Sequence, residues 1–310
     1  MVDDTLVELN QISKSFGLIR ALTDVSLTIG PGVTGLLGPN GSGKSTLIKI
    51  LLGLLQSDSG TTTVLGMDPK KQAREIRSQV GFMPEDDCYI ENISAVEMVQ
   101  FAACLNGQPA LESLRRAHEI LDFCGVQEER YRLIDTFSTG MRQKVKFAQS
   151  IVHDPRILIM DEPTSGLDPE ERQIMLRRIR NLAEHGDKAV IVSTHILPDV
   201  EAVCDQVLIL SQGRLRLADN LQTLRTPVAP ELHLKVLGSA EQLVESLTSA
   251  GLDVALTERG TIVVNHPGDV APIWSCARKT GVRIRSMIPA KNTLEEIFME
   301  AVSEDKHANL

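Results

Sequence analysis

The stretch that most constrains this chain is GPNGSGKST, from Gly38 to Thr46. An apolar run, Val33-Thr34-Gly35-Leu36-Leu37, precedes it and reads as a buried strand. Leu47-Ile48-Lys49-Ile50-Leu51-Leu52 comes after it and reads as a helix that is apolar nearly all round. A strand, a glycine-rich loop and a helix in that order make a cradle for phosphate. Gly38, Gly41 and Gly43 let the backbone take left-handed turns and approach a ligand closely. Around Pro39, Asn40 and Ser42, successive N–H groups then point at phosphate oxygens, and the helix N-terminus adds favourable partial charge. Lys44 reaches the outer phosphates, Ser45 offers a hydroxyl to Mg²⁺, and Thr46 closes the loop. The stretch predicts a nucleoside triphosphate site at the edge of an α/β sheet.

Composition narrows the partners. At 310 residues the chain calls for a large domain and a smaller one. A net charge of −9 with no basic block argues against nucleic acid. The five cysteines are odd in number and form no CxxC pair, which suits neither a disulfide framework nor a zinc site and points to a reducing cytosol. The N-terminus, MVDDTLVELN, is acidic where a signal peptide is basic and then apolar. Leu47 to Leu55, the most hydrophobic window, is interrupted by Lys49 and Gly53 and falls far short of the roughly 20 apolar residues that a bilayer span needs. A membrane role therefore requires another chain.

Taken in order, Thr5–Ile12 and Val25–Ile29 read as strands, with Ser15-Phe16-Gly17 at a turn between them. Phe16 either stacks on a purine base or closes the edge of the core. Thr61–Leu65 and Val80–Met83 are further strands, the second running into Pro84-Glu85-Asp86-Asp87, an acidic loop of the kind that usually faces solvent. From Ile93 to Ile151 the pattern is helical and strand-poor, with helices at Ala95–Leu105, Ala110–Cys124 and Met141–Val152. Ser138-Thr139-Gly140 leads into the last of these and is by itself an N-cap. Ile157-Leu158-Ile159-Met160-Asp161-Glu162 opens with a run apolar on every residue, as a central parallel strand requires. Its closing acids sit where open α/β sheets place their sites. Asp161 suits a role in fixing Mg²⁺, and Glu162 suits one in orienting an attacking water. Asp168 lies in the next turn, before a helix over Glu170–Glu184 with Arg172, Arg177, Arg178 and Arg180 on solvent faces. Lys188–Ser193 is another buried strand, aiming His195 at the same sheet edge. A hairpin of Gln206–Leu210 and Arg214–Leu217 closes the first domain.

The order of these pieces resembles the ATP-binding cassette (ABC) ATPases, the motor subunits of ABC transporters, over about residues 4 to 220. The resemblance implies that Phe16 stacks on adenine and that residues 38–46 hold the phosphates of ATP. It implies that Ser138, Thr139 and Gly140 contact the γ-phosphate bound by a second copy, with Asp168 at the dimer seam. Glu162 is similar to the family's catalytic carboxylate and His195 to its γ-phosphate switch; Ser45, Asp161 and Glu85 are then the Mg²⁺ residues. The chain has FSTGM where the family commonly has LSGGQ, Glu85 where it commonly has Gln, and Phe16 where Tyr is more usual. The first two variants look like the branch that drives type-2 exporters of drugs, sodium, lipids or polysaccharides. The resemblance implies a cytoplasmic ATPase, peripheral on the membrane through a separate permease and working as a homodimer. A soluble ABC-type ATPase and a non-hydrolysing regulatory module are the alternatives.

The expected fold is α/β: a P-loop NTPase core (residues 1–225) of mainly parallel sheet with N-terminal antiparallel strands and an inserted helical subdomain (about 86–150). Thr226-Pro227-Val228-Ala229-Pro230 reads as a linker. Residues 226–310 then take a βαββαβ order that fits a small ferredoxin-like domain, regulatory or dimer-stabilising.

Overall fold

The structure is a computed structural model that describes residues 5–184, 187–225, 231–257, 260–265, 269–289 and 293–307. The expected linker, 226–230, lies outside the described residues. The chain divides into two compact units, Met1–Leu221 with Phe298–Leu310, and Gln222–Ile297.

In the first unit, β1 (Val7–Phe16) pairs antiparallel with β2 (Ile19–Ile29), and later with β4 (Ser59–Val64), in a three-stranded sheet ordered β2-β1-β4. Both β1 and β2 run longer than their apolar alternation suggests. Register shifts after Leu9 and Ile12 break the alternation while pairing continues to Phe16 opposite Ile19.

The second sheet of this unit has six strands in the order β5-β6-β7-β3-β8-β9. They are β3 (Gly32–Leu37), β5 (Val80–Met83), β6 (Ile157–Asp161), β7 (Ala189–Ser193), β8 (Gln206–Ser211) and the antiparallel edge strand β9 (Arg214–Asn220). All five residues of β7 are buried, as are the first four of β6, which is why neither strand alternates in sequence. Leu36, Ile48, Ile159, Ile191 and Leu208 join one continuous core with Ile12 and Leu22 of the antiparallel sheet.

The helices of the unit are α1 (Lys44–Leu51), α2 (Ala73–Arg77), α3 (Ala95–Leu105), α4 (Ala110–Phe123), α5 (Thr139–Ile151), α6 (Pro169–Glu184) and α7 (Leu197–Val203), with α8 (Leu221–Arg225) at the division. α3 starts on a reciprocal cap: the Ser94 N–H donates to Glu97 Oε2 at 2.7 Å and the Glu97 N–H to Ser94 Oγ at 3.4 Å. α2, α7 and α8 were not expected from the sequence, because one or two turns are too short to show a 3.6-residue period. Of the four arginines expected on solvent faces of α6, Arg177 is exposed, whereas Arg172, Arg178 and Arg180 are half-buried. Arg172 Nε donates to Asp199 Oδ1 at 2.6 Å and Arg180 to Asp205 Oδ1 at 2.7 Å.

The second unit contains β10 (Glu231–Leu237), α9 (Ala240–Ser249), β11 (Asp253–Leu256), β12 (Ile262–Asn265), α10 (Ala271–Thr280) and β13 (Arg283–Pro289). The sheet is antiparallel throughout and ordered β11-β12-β10-β13, the ferredoxin-like arrangement that the βαββαβ order predicts. Leu234, Leu243, Leu247, Ile262, Val264 and Ile273 form its core. The last helix, α11, spans Leu294–His307.

Candidate nucleotide site

Parallel pairing brings the strand ends of the six-stranded sheet into line. Leu36 and Asp161 both stand opposite Ser193, and Met83 stands opposite Met160. The residues that come after β3, β7, β6 and β5 therefore leave the sheet along one edge, where α/β folds bind ligands. Those residues are Gly38, Thr194 with His195, Glu162, and Glu85.

The loop after β3 is shaped by the absence of side chains. A Cβ on Gly38 would lie 2.3 Å from the Leu210 carbonyl oxygen, and one on Gly43, where φ is 108°, would lie 2.6 Å from that of Ala21. Gly41, at φ 78°, has nothing within 4 Å of its Cβ direction. The loop is thus wedged against the protein at both ends and open in the middle. Lys44 Nζ donates to the carbonyls of Gly38 at 2.7 Å and Pro39 at 3.2 Å. Burial lowers the Lys44 pKa, while Asp161, Glu162 and Glu85 pull it upward without prevailing.

Glu162 is 7% exposed and holds a left-handed φ of 50°, a costly conformation for a residue with a Cβ. Its carboxylate accepts from Thr194 Oγ1 at 3.0 Å and from the His195 backbone N–H at 3.1 Å, and lies 2.7 Å from His195 Nδ1. From the other side, Gln143 Nε2 donates to the carbonyls of Glu162, Pro163 and Ser165 at 3.2, 3.3 and 3.4 Å.

A cleft of about 620 Å³ gathers Phe16, Ile19, Arg20, Ala21, Gly38 to Thr46, Glu85, Asp161, Glu162 and His195. Phe16, 48% exposed, ends β1 instead of lying free in a loop. Lys14 Nζ stands 5.6 Å from its ring centroid, anchored by Asp58 at 2.6 Å. Ser45, Asp161 and Glu85 offer the hard oxygen donors that suit Mg²⁺. Among the described residues no cluster of three His, Cys, Asp or Glu stands ready to hold a metal. One hydroxyl and two carboxylates suit a metal that takes the rest of its coordination from phosphate and water.

Ser138, Thr139, Gly140 and Asp168 do not enter this cleft. They line a separate concavity of about 390 Å³ with Met141, Lys144, Gly166, Leu167 and Glu171. Ser138 Oγ accepts the Met141 N–H at 3.3 Å, capping α5; Asp168 Oδ1 accepts those of Glu170 and Glu171 at 3.0 and 2.9 Å, capping α6.

Several residues of the cleft and its supports were not foreseen. Ile19, Arg20 and Ala21 enter because β2 starts directly opposite Phe16, a register that the strand pattern alone does not give. Gln143 and Lys146 did leave a trace: polar residues three apart on the buried stripe of α5.

The family model described as "ABC transporter" matches residues 22–165. An uncharacterized ABC transporter ATP-binding protein of Bacillus subtilis, YdbJ, is 31% identical over 302 residues, covering 97% of this chain and 96% of the relative. A Nod factor export ATP-binding protein I of Sinorhizobium fredii is 35% identical over 212 residues, 68% of this chain and 62% of that protein. A solved dimeric ATP-binding cassette in a post-hydrolysis state, bound to ADP and Pi, matches with a TM-score of 0.64 and 25% identity over 69% of this chain and 98% of its own. A match running end to end with an ATP-binding protein of this kind, on a fold whose sheet edge gathers the expected phosphate loop and acids, means that the chain belongs to the ATP-binding proteins of ABC transporters.

Proposed function

We propose that this chain is the ATP-hydrolysing subunit of an exporter, in which two copies close on ATP and Mg²⁺ and move a separate membrane permease as they open and close. The observation that carries the reading is the separation of the two concavities. One holds the phosphate loop and the acids, the other Ser138, Gly140 and Asp168, and no residue lines both. Each is half of the site that the family resemblance describes, so a second copy placed head to tail completes both. The name of the Nod factor export relative supports outward transport. No helix among the described residues is long and apolar enough to cross a membrane, which is consistent with attachment through a permease.

In this reading Phe16 and Ile19 hold the base, and the N–H groups of residues 40–46 hold the phosphates. Ser45, Asp161 and Glu85 would hold Mg²⁺, which when bound would neutralise charge on the phosphate oxygens. Glu162 takes a proton from water as the water attacks the γ-phosphorus in line. The bond from that phosphorus to the β–γ bridging oxygen breaks, giving ADP and phosphate. Lys44 offsets the developing charge. His195 and the Ser138–Gly140 loop of a second copy hold the γ-phosphate. The loop from Glu85 to Tyr89 passes the state of the site to the permease.

The test is Glu162→Gln, which keeps size and loses the base. Phosphate release should fall by roughly 10²–10⁴-fold while ATP binding is kept, and ATP with Mg²⁺ should trap a dimer on size exclusion. Wild-type turnover in this variant, or a monomer under all nucleotide conditions, would overturn the reading.

A further inference from the structure

α5 does more than present Ser138 at its N-terminus. Two of its polar side chains, Gln143 and Lys146, are each only 4% exposed. Gln143 reaches one way, to the carbonyls of the Glu162 turn. Lys146 reaches the other way: its ammonium donates to the carbonyls of Pro84, Glu85 and Asp86 at 3.1, 2.7 and 3.3 Å. An ammonium has three donors, and here each meets a backbone acceptor. A buried charge is tolerated when it is satisfied in this way; burial still lowers the Lys146 pKa, against smaller upward pulls from Cys88, Asp87, Asp86 and Glu85. One turn earlier, Arg142 sits 3.3 Å from Asp87 Oδ2 and 5.2 Å from the Tyr89 ring centroid, extending the same attachment along the loop.

We propose that α5 is a two-pronged bracket in which Lys146 and Gln143 are positioning residues, setting the Glu85 loop and the Glu162 turn at a fixed separation across the nucleotide cleft. Three consecutive carbonyls wrapped on one ammonium fix the backbone of residues 84–86, so Glu85 is delivered to the metal side of the cleft from a rigid base. The acidic loop, which composition alone marks as a solvated face, is exposed at its carboxylates but tethered at its backbone. Because α5 also begins at Ser138, movement of either loop is passed to the face that meets a second copy. The inference deepens the proposed ATPase reading and rests on it only for the metal.

The loop carries its own probe site, since Cys88 is exposed, whereas Cys124, Cys204 and Cys276 are buried and Cys104 is partly so. A spin label on Cys88 in a Cys104→Ser background reports loop motion by EPR without nucleotide. Lys146→Met should shorten the label's correlation time at least threefold. Lys146→Arg, which keeps charge and multiple donors, should stay within twofold of wild type. Should Lys146→Met not fold, Lys146→Gln, with two donors for three carbonyls, should give an intermediate value. In phosphate-release assays Lys146→Met should raise the half-saturating Mg²⁺ about tenfold, and less than threefold when Glu85 is already Gln. An unchanged label in Lys146→Met, or the same increase in both backgrounds, overturns the bracket. Absence of phosphate release from the wild type would instead sink the ATPase reading, and the EPR result would still decide the bracket.

Discussion

His195 Nδ1 lies 2.7 Å from Glu162 Oε1, which joins the ends of two neighbouring parallel strands, β6 and β7, into one hydrogen-bonded unit. With the proton on Nδ1, a neutral ring has only an acceptor left at Nε2. The ring therefore has to gain a proton or turn before it can donate to phosphate. Glu162 keeps two further donors, Thr194 Oγ1 and the backbone N–H of residue 195, that do not depend on the imidazole. His195→Ala should thus leave the carboxylate placed while removing the group proposed to hold the γ-phosphate. The expected result is a kcat lower by roughly 10²-fold with ATP affinity changed by less than about threefold. Weaker ATP binding with kcat unchanged would assign His195 to substrate holding alone. Thr194→Val, by contrast, strips a donor from a buried carboxylate oxygen and should cost about 1–3 kcal/mol of stability.

Two glycines of the candidate site should answer very differently to the same substitution. Gly43 has φ 108° and a Cβ position 2.6 Å from the Ala21 carbonyl oxygen, so Gly43→Ala must move backbone. The strain, on the order of 1–3 kcal/mol, should appear as a lower melting temperature and weak ATP binding by the isolated chain. Gly140 has no such constraint: its nearest contact is Leu167 Cδ2, at an ordinary 3.5 Å. Gly140→Ala should therefore melt within about 2 °C of wild type, yet lose most of its ATPase activity if this face closes on the nucleotide of a second copy. Full activity in Gly140→Ala would remove the Ser138–Gly140 loop from the reaction.

The contrast also shows what the sequence exposes and what it hides. GPNGSGKST was legible because its chemistry is local: the glycines, Lys44 and Ser45 act within one loop, so spacing along the chain equals placement in space. β6 and β7 were legible because burial on both faces leaves an unbroken apolar run. The supports of the site were not. Gln143 reaches Glu162 and Lys146 reaches the Glu85 loop across 19 and 61 positions of sequence. Only the packing of α5 against the sheet edge brings them together. Arg172 reads as a surface residue on a charged helix, and nothing nearby in sequence announces that its partner, Asp199, lies beyond the next strand.

That partner makes the next prediction. Asp199 is 2% exposed and accepts from Thr164 Oγ1 at 2.5 Å and Arg172 Nε at 2.6 Å. It ties the turn after Glu162 to α6 and to α7, the helix that begins just after His195, so it supports both Glu162 and His195 without lining the cleft. Asp199→Ala leaves two donors facing a void and should cost about 2–3 kcal/mol. In a unit of this size that is a fall of roughly 5–10 °C in melting temperature. Asp199→Asn, which retains an acceptor for Thr164 but not the charge opposite Arg172, should lose less. A melting temperature unchanged in Asp199→Ala would show that the three residues contribute nothing jointly.

His153, just past the end of α5, makes one contribution of definite sign to the response to acid. Burial lowers its pKa below the ordinary histidine value of 6.5, against smaller upward pulls from the Val80 backbone and Asp154. The unfolded chain therefore takes up a proton as pH falls through about 6.5, while the folded chain resists until a lower pH. Across that window the unfolded state binds more protons, so stability is lost on going down and is fully present above about pH 6.5. The urea midpoint should accordingly drop between about pH 7.5 and pH 5. In His153→Phe, which keeps a ring of similar breadth without a titrating group, the drop should be smaller. Other groups titrate in the same range, so the quantity to compare is the difference in slope between wild type and variant at matched ionic strength. Parallel slopes would mean that His153 is as free to protonate in the folded protein as in the unfolded chain.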